Sequence, residues 1–509
     1  MSINSIRLMS SVETEERGAC TKSAQRRVVS SLDLIFQCFV TTGVTLNLAG
    51  HGVANGFAAV LVPQLRRADS TIPIDHSTGS WIASVMGTTL VIGNFIIPFT
   101  MAKYGRRIAN MASLVPMIMG WICIVLATNV PMLIFARLLQ GLSMGMGTTL
   151  GPVLIGEYTS PKNRGAFLTV ISVMISAGVL VVHTLGCYLH WQTAAIVCAF
   201  VTLADFIIVL LSPESPSWLA DRGKHEESRR VFRWLRGDGE ETELRRMVEA
   251  TTEKQSKPAG NISQSMLQTI VAKIRYIETI LKRKEFYKPI IIMIHIYMLS
   301  QWAGVNVLST YIIDLLDVLV GNGVDIKLMV VALDSQRIVS NVVGVYLIKK
   351  RKRRTMLLAI GCLAMFAMLA TALFSYLQTN QIITNDHRLI GILLLHLHML
   401  SVGIGSLPIS FIIAGELFPL EFRSLAGGIS VLFHSSSFFI VIKTVPYLFN
   451  TIGLHGAYCL YTLVSGYCLM VAWWFLPETK DRTLQEIEDE FRGTSPVDKA
   501  VELQSLASL

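Results

Sequence analysis

The sequence has 509 residues, a mean hydropathy of +0.52, 52% hydrophobic residues and only 16% charged residues. Soluble globular proteins carry about 25% charged residues, so this composition excludes a soluble globular protein. The formal net charge is +9. It does not indicate nucleic-acid binding, because the Lys and Arg residues fall in blocks between apolar runs, which is the pattern of membrane topology.

Apolar stretches dominate the chain from residue 35 onwards. Each is long enough to cross a hydrocarbon core about 30 Å thick, which takes about 20 residues of helix. The first 33 residues lack the short apolar run of a cleaved signal peptide. The predicted spans are residues 35–63, 80–101, 109–127, 131–156, 166–187, 193–211, 289–316, 327–348, 355–377, 389–413, 425–448 and 456–476.

The polar segment 213–288 separates six spans from six and is predicted to form a cytosolic linker of short amphipathic helices. The basic blocks lie on the same side as this linker, so we expect both termini to be cytosolic in a multi-pass protein of the cell membrane. The predicted organisation is an N-terminal tail (1–34), an N-terminal half (35–212), the linker (213–288), a C-terminal half (289–477) and a C-terminal tail (478–509).

Three motifs recur in the two halves in the same order. The sequence GEYTSPKNRG at 156–165 returns as GELFPLEFRS at 415–424, a basic cluster at 103–107 returns at 349–354, and PESP from Pro213 returns as PETK from Pro477. The repeats predict two parallel six-helix halves, an arrangement found in major facilitator transporters. The expected fold class is therefore an all-α membrane protein with twelve transmembrane helices.

These residues resemble the sugar porter branch of the major facilitator superfamily over nearly the whole chain outside the tails. Further matches are Gly105 to Arg107, Arg137 with Gly141 and Gly145, Trp191, QWAGVN at 301–306 and PETKDRTLQEIE from Pro477. Lys443 is similar to the insect trehalose transporter-like group. The resemblance implies a carrier that works by alternating access, without enzymatic activity and without a cofactor.

The repeated charges are predicted to gate one membrane face. Each Glu stands seven residues before an Arg across a turn and can form charge-assisted bonds with basic residues of neighbouring loops. These bonds would latch the cytosolic face when the carrier opens outward; the alternative is that the charges only cap helices in solvated loops. The gating set is Glu157, Arg164, Glu416, Arg423, Arg106, Arg107, Arg353 and Arg354.

The resemblance also implies a solute pocket, because sugar porters hold their solute with Gln, Asn and Trp side chains on the fifth, seventh, eighth, tenth and eleventh spans. Two seventh-span amides are retained as Gln301 and Asn306, and about half of the usual polar contacts are replaced. The aligned positions are Ser172, Ser300, Gln301, Asn306, Arg337, Phe411 and His434.

Charged residues inside a membrane span are costly and point to function. Asp334 and Arg337 are three residues apart on one predicted helix and either neutralise each other or place Arg337 in the cavity, where it meets an anionic or strongly polar ligand. His51 and His434 are interpreted as hydrogen-bonded interior histidines rather than as proton relays. No Cys/His spacing predicts a metal site.

The leading hypothesis is a facilitative uniporter of a small polar solute, a sugar such as a hexose or trehalose. Proton-coupled members of the family carry an Asp in the first span where this chain has Ala54, and no Asp or Glu occurs between Ile35 and Pro63. Two alternatives stay open: a carrier for a non-sugar solute such as an organic anion, and a sensor that does not transport. The expected partners are the solute and the lipid bilayer, and not nucleic acid.

Overall fold

The computed structural model describes residues 3–237, 244–245, 282–321, 324–383, 387–406, 408–419, 423–482 and 484–492. Helices make up the regular structure of these residues, and their side chains are described from residue 34 onwards except at 161–163, 165–166, 406, 423–424 and 484–485. The helices are α1 (Ile3–Leu65), α2 (His76–Ser84), α3 (Met86–Tyr104), α4 (Arg106–Val125), α5 (Val130–Tyr158), α6 (Pro161–Tyr188), α7 (Trp191–Leu211), α8 (Pro216–Asp221), α9 (His225–Arg236), α10 (Lys284–Trp302), α11 (Val305–Thr310), α12 (Ile312–Val320), α13 (Ile326–Lys350), α14 (Arg353–Thr379), α15 (Arg388–Ser401), α16 (Pro408–Leu417), α17 (Arg423–Phe475) and α18 (Leu484–Arg492).

In the described part of the chain, 11 helices are long and apolar enough to cross a membrane. The last of them, Leu425–Phe475, has 51 residues, which would make about 77 Å of helix against a core of about 30 Å. Its backbone leaves the helical conformation at Gly453, where φ is 72° and ψ is 171°. This break lies between the eleventh and twelfth predicted spans.

Two spans of the C-terminal half are interrupted at mid-depth. The seventh span turns at Gly304, whose φ is 87°, and a Cβ there would come within 3.1 Å of the His398 ring. Both facts require glycine. The tenth span contains a π-helical turn at Val402–Ser406, a feature frequent at functional sites.

The predicted tails and linker are only partly described. Helix α1 already begins at Ile3, so the backbone is helical through the predicted N-terminal tail. Within the predicted linker, α8 and α9 are described, and residues 238–243 and 246–281 lie outside the described residues. The C-terminal helix α18 buries Ile487 and Phe491 against the C-terminal half.

The two halves share a hydrophobic core towards one membrane face. We call the face that carries the α3–α4 turn, α8 and the α13–α14 turn the linker face, and the opposite one the far face. One hydrophobic core joins residues of both halves near the far face, including Phe57, Trp121, Leu315 and Tyr461. Near the linker face the N-terminal and C-terminal halves have separate cores. The molecule is therefore closed at the far face.

Candidate solute site and gates

The amides retained on the seventh span lie in a chain of hydrogen bonds that crosses between the halves. The Asn55 amide on α1 donates to the Asn306 side-chain oxygen over 2.9 Å. Asn306 donates to Gln301 Oε1 over 2.7 Å. Gln301 donates to Nε2 of His434 on α17 over 2.8 Å. Gln301 and Asn55 are buried, and such a polar chain in a low-dielectric setting is stable only when its members are satisfied.

Aromatic rings border this amide chain. The Tyr297 and His434 ring centroids are 5.0 Å apart, and Phe411 lies 5.7 Å from each of these two rings. Phe411 is 42% exposed, so its ring is not sealed inside the protein core. The site therefore combines amide donors and acceptors with an apolar ring surface.

Two predicted pocket residues do not join this cluster. Ser300 points about 100° away from Gln301 around the axis of α10, as adjacent helical residues do. It lines a cavity of about 10 Å³ formed with α14 and α16, and its hydroxyl is buried without a hydrogen-bond partner among the described residues. Ser172 donates to the Thr169 carbonyl of its own helix over 3.2 Å. Neither hydroxyl contacts the amide chain.

Arg337 does not face an open cavity, and it interacts with Asp334 electrostatically without a close ion pair. Arg337 is 4% exposed. Its guanidinium donates to the Ser309 hydroxyl on α11. Asp334 is not within ion-pair distance of Arg337 in the described part of the chain and instead contacts His183 of the N-terminal half. The local spacing on α13 permits an Asp334–Arg337 pair, but helix packing offers Asp334 a nearer partner.

Three histidines of the membrane spans differ in their hydrogen bonds. His434 is hydrogen-bonded, as its interpretation requires. Both ring nitrogens of His51 are buried without a hydrogen-bond partner among the described residues, so that part of the interpretation is not met. His183 is the histidine that sequence reasoning missed, because no periodicity or motif marks a contact made only when α6 meets α13.

A compact ion-pair network closes the linker face of the N-terminal half. Arg106 Nε lies 3.1 and 3.0 Å from the two Glu157 oxygens. Glu214 accepts backbone N–H bonds from Arg106 at 2.7 Å and from Arg107 at 3.1 Å, as a carboxylate at a helix N-terminus does. Ser215 also donates to Glu157. We call this set the N-terminal network.

The C-terminal half repeats the same network. Arg353 Nη2 lies 3.2 Å from Glu416. Glu478 accepts from the backbone N–H groups of Arg353 at 2.7 Å and Arg354 at 3.2 Å, and Thr479 donates to Glu416 over 2.6 Å. This is the C-terminal network. Sequence reasoning did not select Glu214, Ser215, Glu478 or Thr479, although the repeated PES and PET triplets contain them.

The remaining members of the predicted gating set are placed differently. Arg107 donates to the Leu210 carbonyl and Arg354 to the Trp473 carbonyl. Arg164 lines a cavity of about 140 Å³ beside Glu157. The side chain of Arg423 lies outside the described residues. Both networks hold together helices of one half, and neither of their ion pairs crosses between the halves.

Comparison with known proteins identifies the family. Residues 28–491 match the family described as "Sugar (and other) transporter". The chain belongs to this family. It is 25% identical to the facilitated trehalose transporter of Bombyx mori over 490 residues, which cover 96% of this chain and 92% of that protein. It is 27% identical to the facilitated trehalose transporter of Apis mellifera ligustica over 465 residues, covering 91% and 90%.

Solved structures have the same architecture as this protein. The xylose transporter of E. coli in an inward-open conformation superposes with a TM-score of 0.71 at 16% identity, covering 89% of this chain and 99% of that chain. The major facilitator proton:xylose symporter bound to 6-bromo-6-deoxy-D-glucose gives a TM-score of 0.69 at 18% identity. The chain therefore has the major facilitator fold.

Proposed function

We propose that this protein is a facilitative transporter of a sugar such as a hexose or trehalose and that it works by alternating access. The observation that carries the proposal is the hydrogen-bonded chain from Asn55 through Asn306 and Gln301 to His434, because it links both halves at mid-depth. A solute with many hydroxyl groups can exchange into such a chain, since each hydroxyl both donates and accepts.

The border of the site fits the same class of solute. A sugar ring presents C–H groups on its faces, which pack against aromatic rings such as Tyr297 and Phe411. Gln301, Asn306, Phe411 and His434 are therefore the residues that we propose to bind solute, with Asn55 and Tyr297 added. Ser172 and Ser300 are not retained, because their hydroxyls face away from the chain.

Relatives support the solute class. The Bombyx mori and Apis mellifera ligustica proteins are named facilitated trehalose transporters, and the structural neighbour is a xylose transporter. An organic anion is less well supported, because Arg337, the residue that suggested it, is buried and bonded to Ser309.

Uniport is supported by the surroundings of Arg137. This guanidinium is fully buried and donates to the Ala54 carbonyl over 2.6 Å, to Gln140 over 2.8 Å and to the Ile82 carbonyl over 3.2 Å. Neutral oxygens thus hold it at the place where proton-coupled members of the family carry an Asp. An intramembrane carboxylate is the usual proton carrier, and this position lacks one.

The linker face is proposed to be cytosolic in the cell membrane, because its loops carry the basic clusters. The N-terminal and C-terminal networks are then cytosolic gates. They brace the linker-face ends of each half, and we propose that they bring those ends together when the far face opens.

A substrate panel tests the proposal directly. The purified chain in proteoliposomes should take up a labelled hexose or trehalose until the internal and external concentrations are equal. A protonophore should not change this level. Uptake of organic anions but not of sugars would overturn the solute class, accumulation that a protonophore collapses would overturn uniport, and solute binding without flux would favour the sensor.

A further inference from the structure

One buried polar contact joins the halves on the far-face side of the amide chain. His183 Nδ1 on α6 lies 2.6 Å from Asp334 Oδ2 on α13, and both side chains are 1% exposed. The other ring nitrogen, Nε2, lies 3.0 Å from the Ser309 carbonyl on α11. The solute site does not use this contact.

Hydrogen-bond chemistry fixes the number of protons in the pair. A carbonyl oxygen only accepts, so Nε2 of His183 must carry a hydrogen. A contact of 2.6 Å between Nδ1 and Oδ2 also needs a hydrogen between the two atoms. The pair is therefore either an imidazolium beside a carboxylate or an imidazole beside a carboxylic acid. In both cases it holds one proton more than a neutral imidazole and an ionised carboxylate.

Several neighbouring groups surround the pair of His183 and Asp334. Arg337 follows Asp334 by three residues on α13 and is bonded to Ser309. On α1 the nearest neighbour is Gly56, whose added Cβ would lie 3.1 Å from His183 Nε2, and α11 has no titratable residue.

The packed helices also carry titratable groups with other surroundings. His396 and His398 are bonded to Gln336 and to the Ala303 carbonyl. Asp325 accepts from the Lys327 backbone N–H, and the Lys327 amine lies over the Tyr188 ring. The His51 ring nitrogens have no partner among the described residues.

Opening of the far face must pull α6 away from α13, because the two helices belong to different halves. They contact each other at three levels: Tyr188 with Lys327, His183 with Asp334, and Ser176 with Asn341. After separation, Asp334 keeps Arg337 on its own helix as a counter-charge. His183 meets water, which can accept the shared proton.

We propose that His183 and Asp334 form a proton-binding site between the halves, which holds one proton while the far face is closed and releases it when that face opens. The proton is an effector of the carrier and is not carried with the solute. The site lies one helical turn from Asn306, so it senses the far-face opening beside the solute site. The proposal rests on alternating access, which belongs to the proposed function, but not on a sugar as the solute.

Linkage gives the sign and the size of the effect. The closed state binds one proton more than the open state, so acidification favours the closed far face. For one proton, the ratio of closed to open molecules falls by at most tenfold for each pH unit.

The test measures far-face distances in the full chain. Nitroxide labels at Asp69→Cys and Leu389→Cys, in a variant with the native cysteines replaced by serine, report one exposed far-face position in each half. Electron-electron resonance distances are recorded between pH 5.5 and 8.5 in lipid nanodiscs without solute. The short distance should dominate at low pH, and the long distance should grow as the pH rises.

Two variants separate the pair from general packing. H183Q with D334N keeps a hydrogen bond between similar shapes but carries no proton, so the pH dependence should vanish. Asn341→Ala removes the neutral inter-half bond to Ser176. It should shift the ratio about fivefold and keep the pH slope.

The outcomes are decisive in both directions. The proposal would be overturned if the closed-to-open ratio of the labelled chain did not depend on pH. It would also be overturned if the double variant kept the same pH dependence. Solute binding to each variant, measured by calorimetry, checks that the chain is folded. If the double variant does not bind solute, the single variant D334N takes its place. If the protein did not transport sugars but its closed-to-open ratio still depended on pH, the solute assignment would be wrong and the proton site would be supported.

Discussion

The linker face and the far face of this molecule use charge in opposite ways. The linker-face networks are partly exposed, occur twice, and bind helices within one half: Arg106 with Glu157, and Arg353 with Glu416, at 16–29% side-chain exposure. The far-face pair of His183 and Asp334 occurs once, is buried, and binds the halves to each other. Charges that the repeat duplicates thus brace each half, whereas unduplicated pairs join the halves: this buried one and the more exposed pair of Arg66 and Asp314, 3.5 Å apart.

The largest expected effect tests this difference of burial. Asp334→Ala removes one partner of a buried pair, which costs about 3–5 kcal/mol in comparable cases. The closed far face should lose stability relative to the open one by roughly a hundredfold or more. Glu157→Ala should change the same ratio much less, because its partner Arg106 stays within one half. Far-face distances in the labelled chain measure the closed-to-open ratio of both variants. Equal changes of this ratio would contradict the proposed difference between the two faces.

The amide chain between the two faces should give the next largest effect. Gln301→Ala removes the residue that bonds both Asn306 and His434. Each lost bond costs about 1 kcal/mol, and a stranded polar group costs about 1–3 kcal/mol. Solute affinity should therefore fall roughly five- to hundredfold. Asn306→Ala should behave similarly in equilibrium binding, and unchanged affinity in both variants would place the site elsewhere.

The linker-face networks should affect turnover more than binding. Glu416→Gln removes the charge that holds Arg353 and lies away from the solute site. Maximal flux should fall severalfold, and solute affinity should stay within a few fold. Glu157→Gln is the matched variant in the other half and should act in the same direction. Normal flux with lost affinity in either variant would contradict a gating role.

The smallest effects are expected at Ser172 and Ser300, which the family resemblance places in the pocket but whose hydroxyls do not contact the amide chain. Ser172→Ala and Ser300→Ala should therefore change solute affinity less than twofold. Asn306→Ala in the same binding assay is the positive control. A tenfold loss at either serine would show that the site extends over that side of the helix.

Several features of the site could be predicted because they are local or repeated. Gln301 and Asn306 lie in a recognisable motif, and the structure brings them together with His434. The repeated Glu and Arg residues pointed to the linker-face networks for the same reason. Ser300 shows the limit, since it is adjacent to Gln301 in sequence but points between α14 and α16, and alignment alone does not give the direction of a side chain in an interrupted helix.

The sequence by itself determined a membrane protein of two repeated halves, because apolar length and duplicated motifs are properties of the chain. Only the tertiary structure decided which face is closed, that Asp334 contacts His183 rather than Arg337, and that Asn55 completes the amide chain. These contacts join residues 151 and 251 positions apart. They depend on how two separately encoded halves pack, which no spacing along one helix contains.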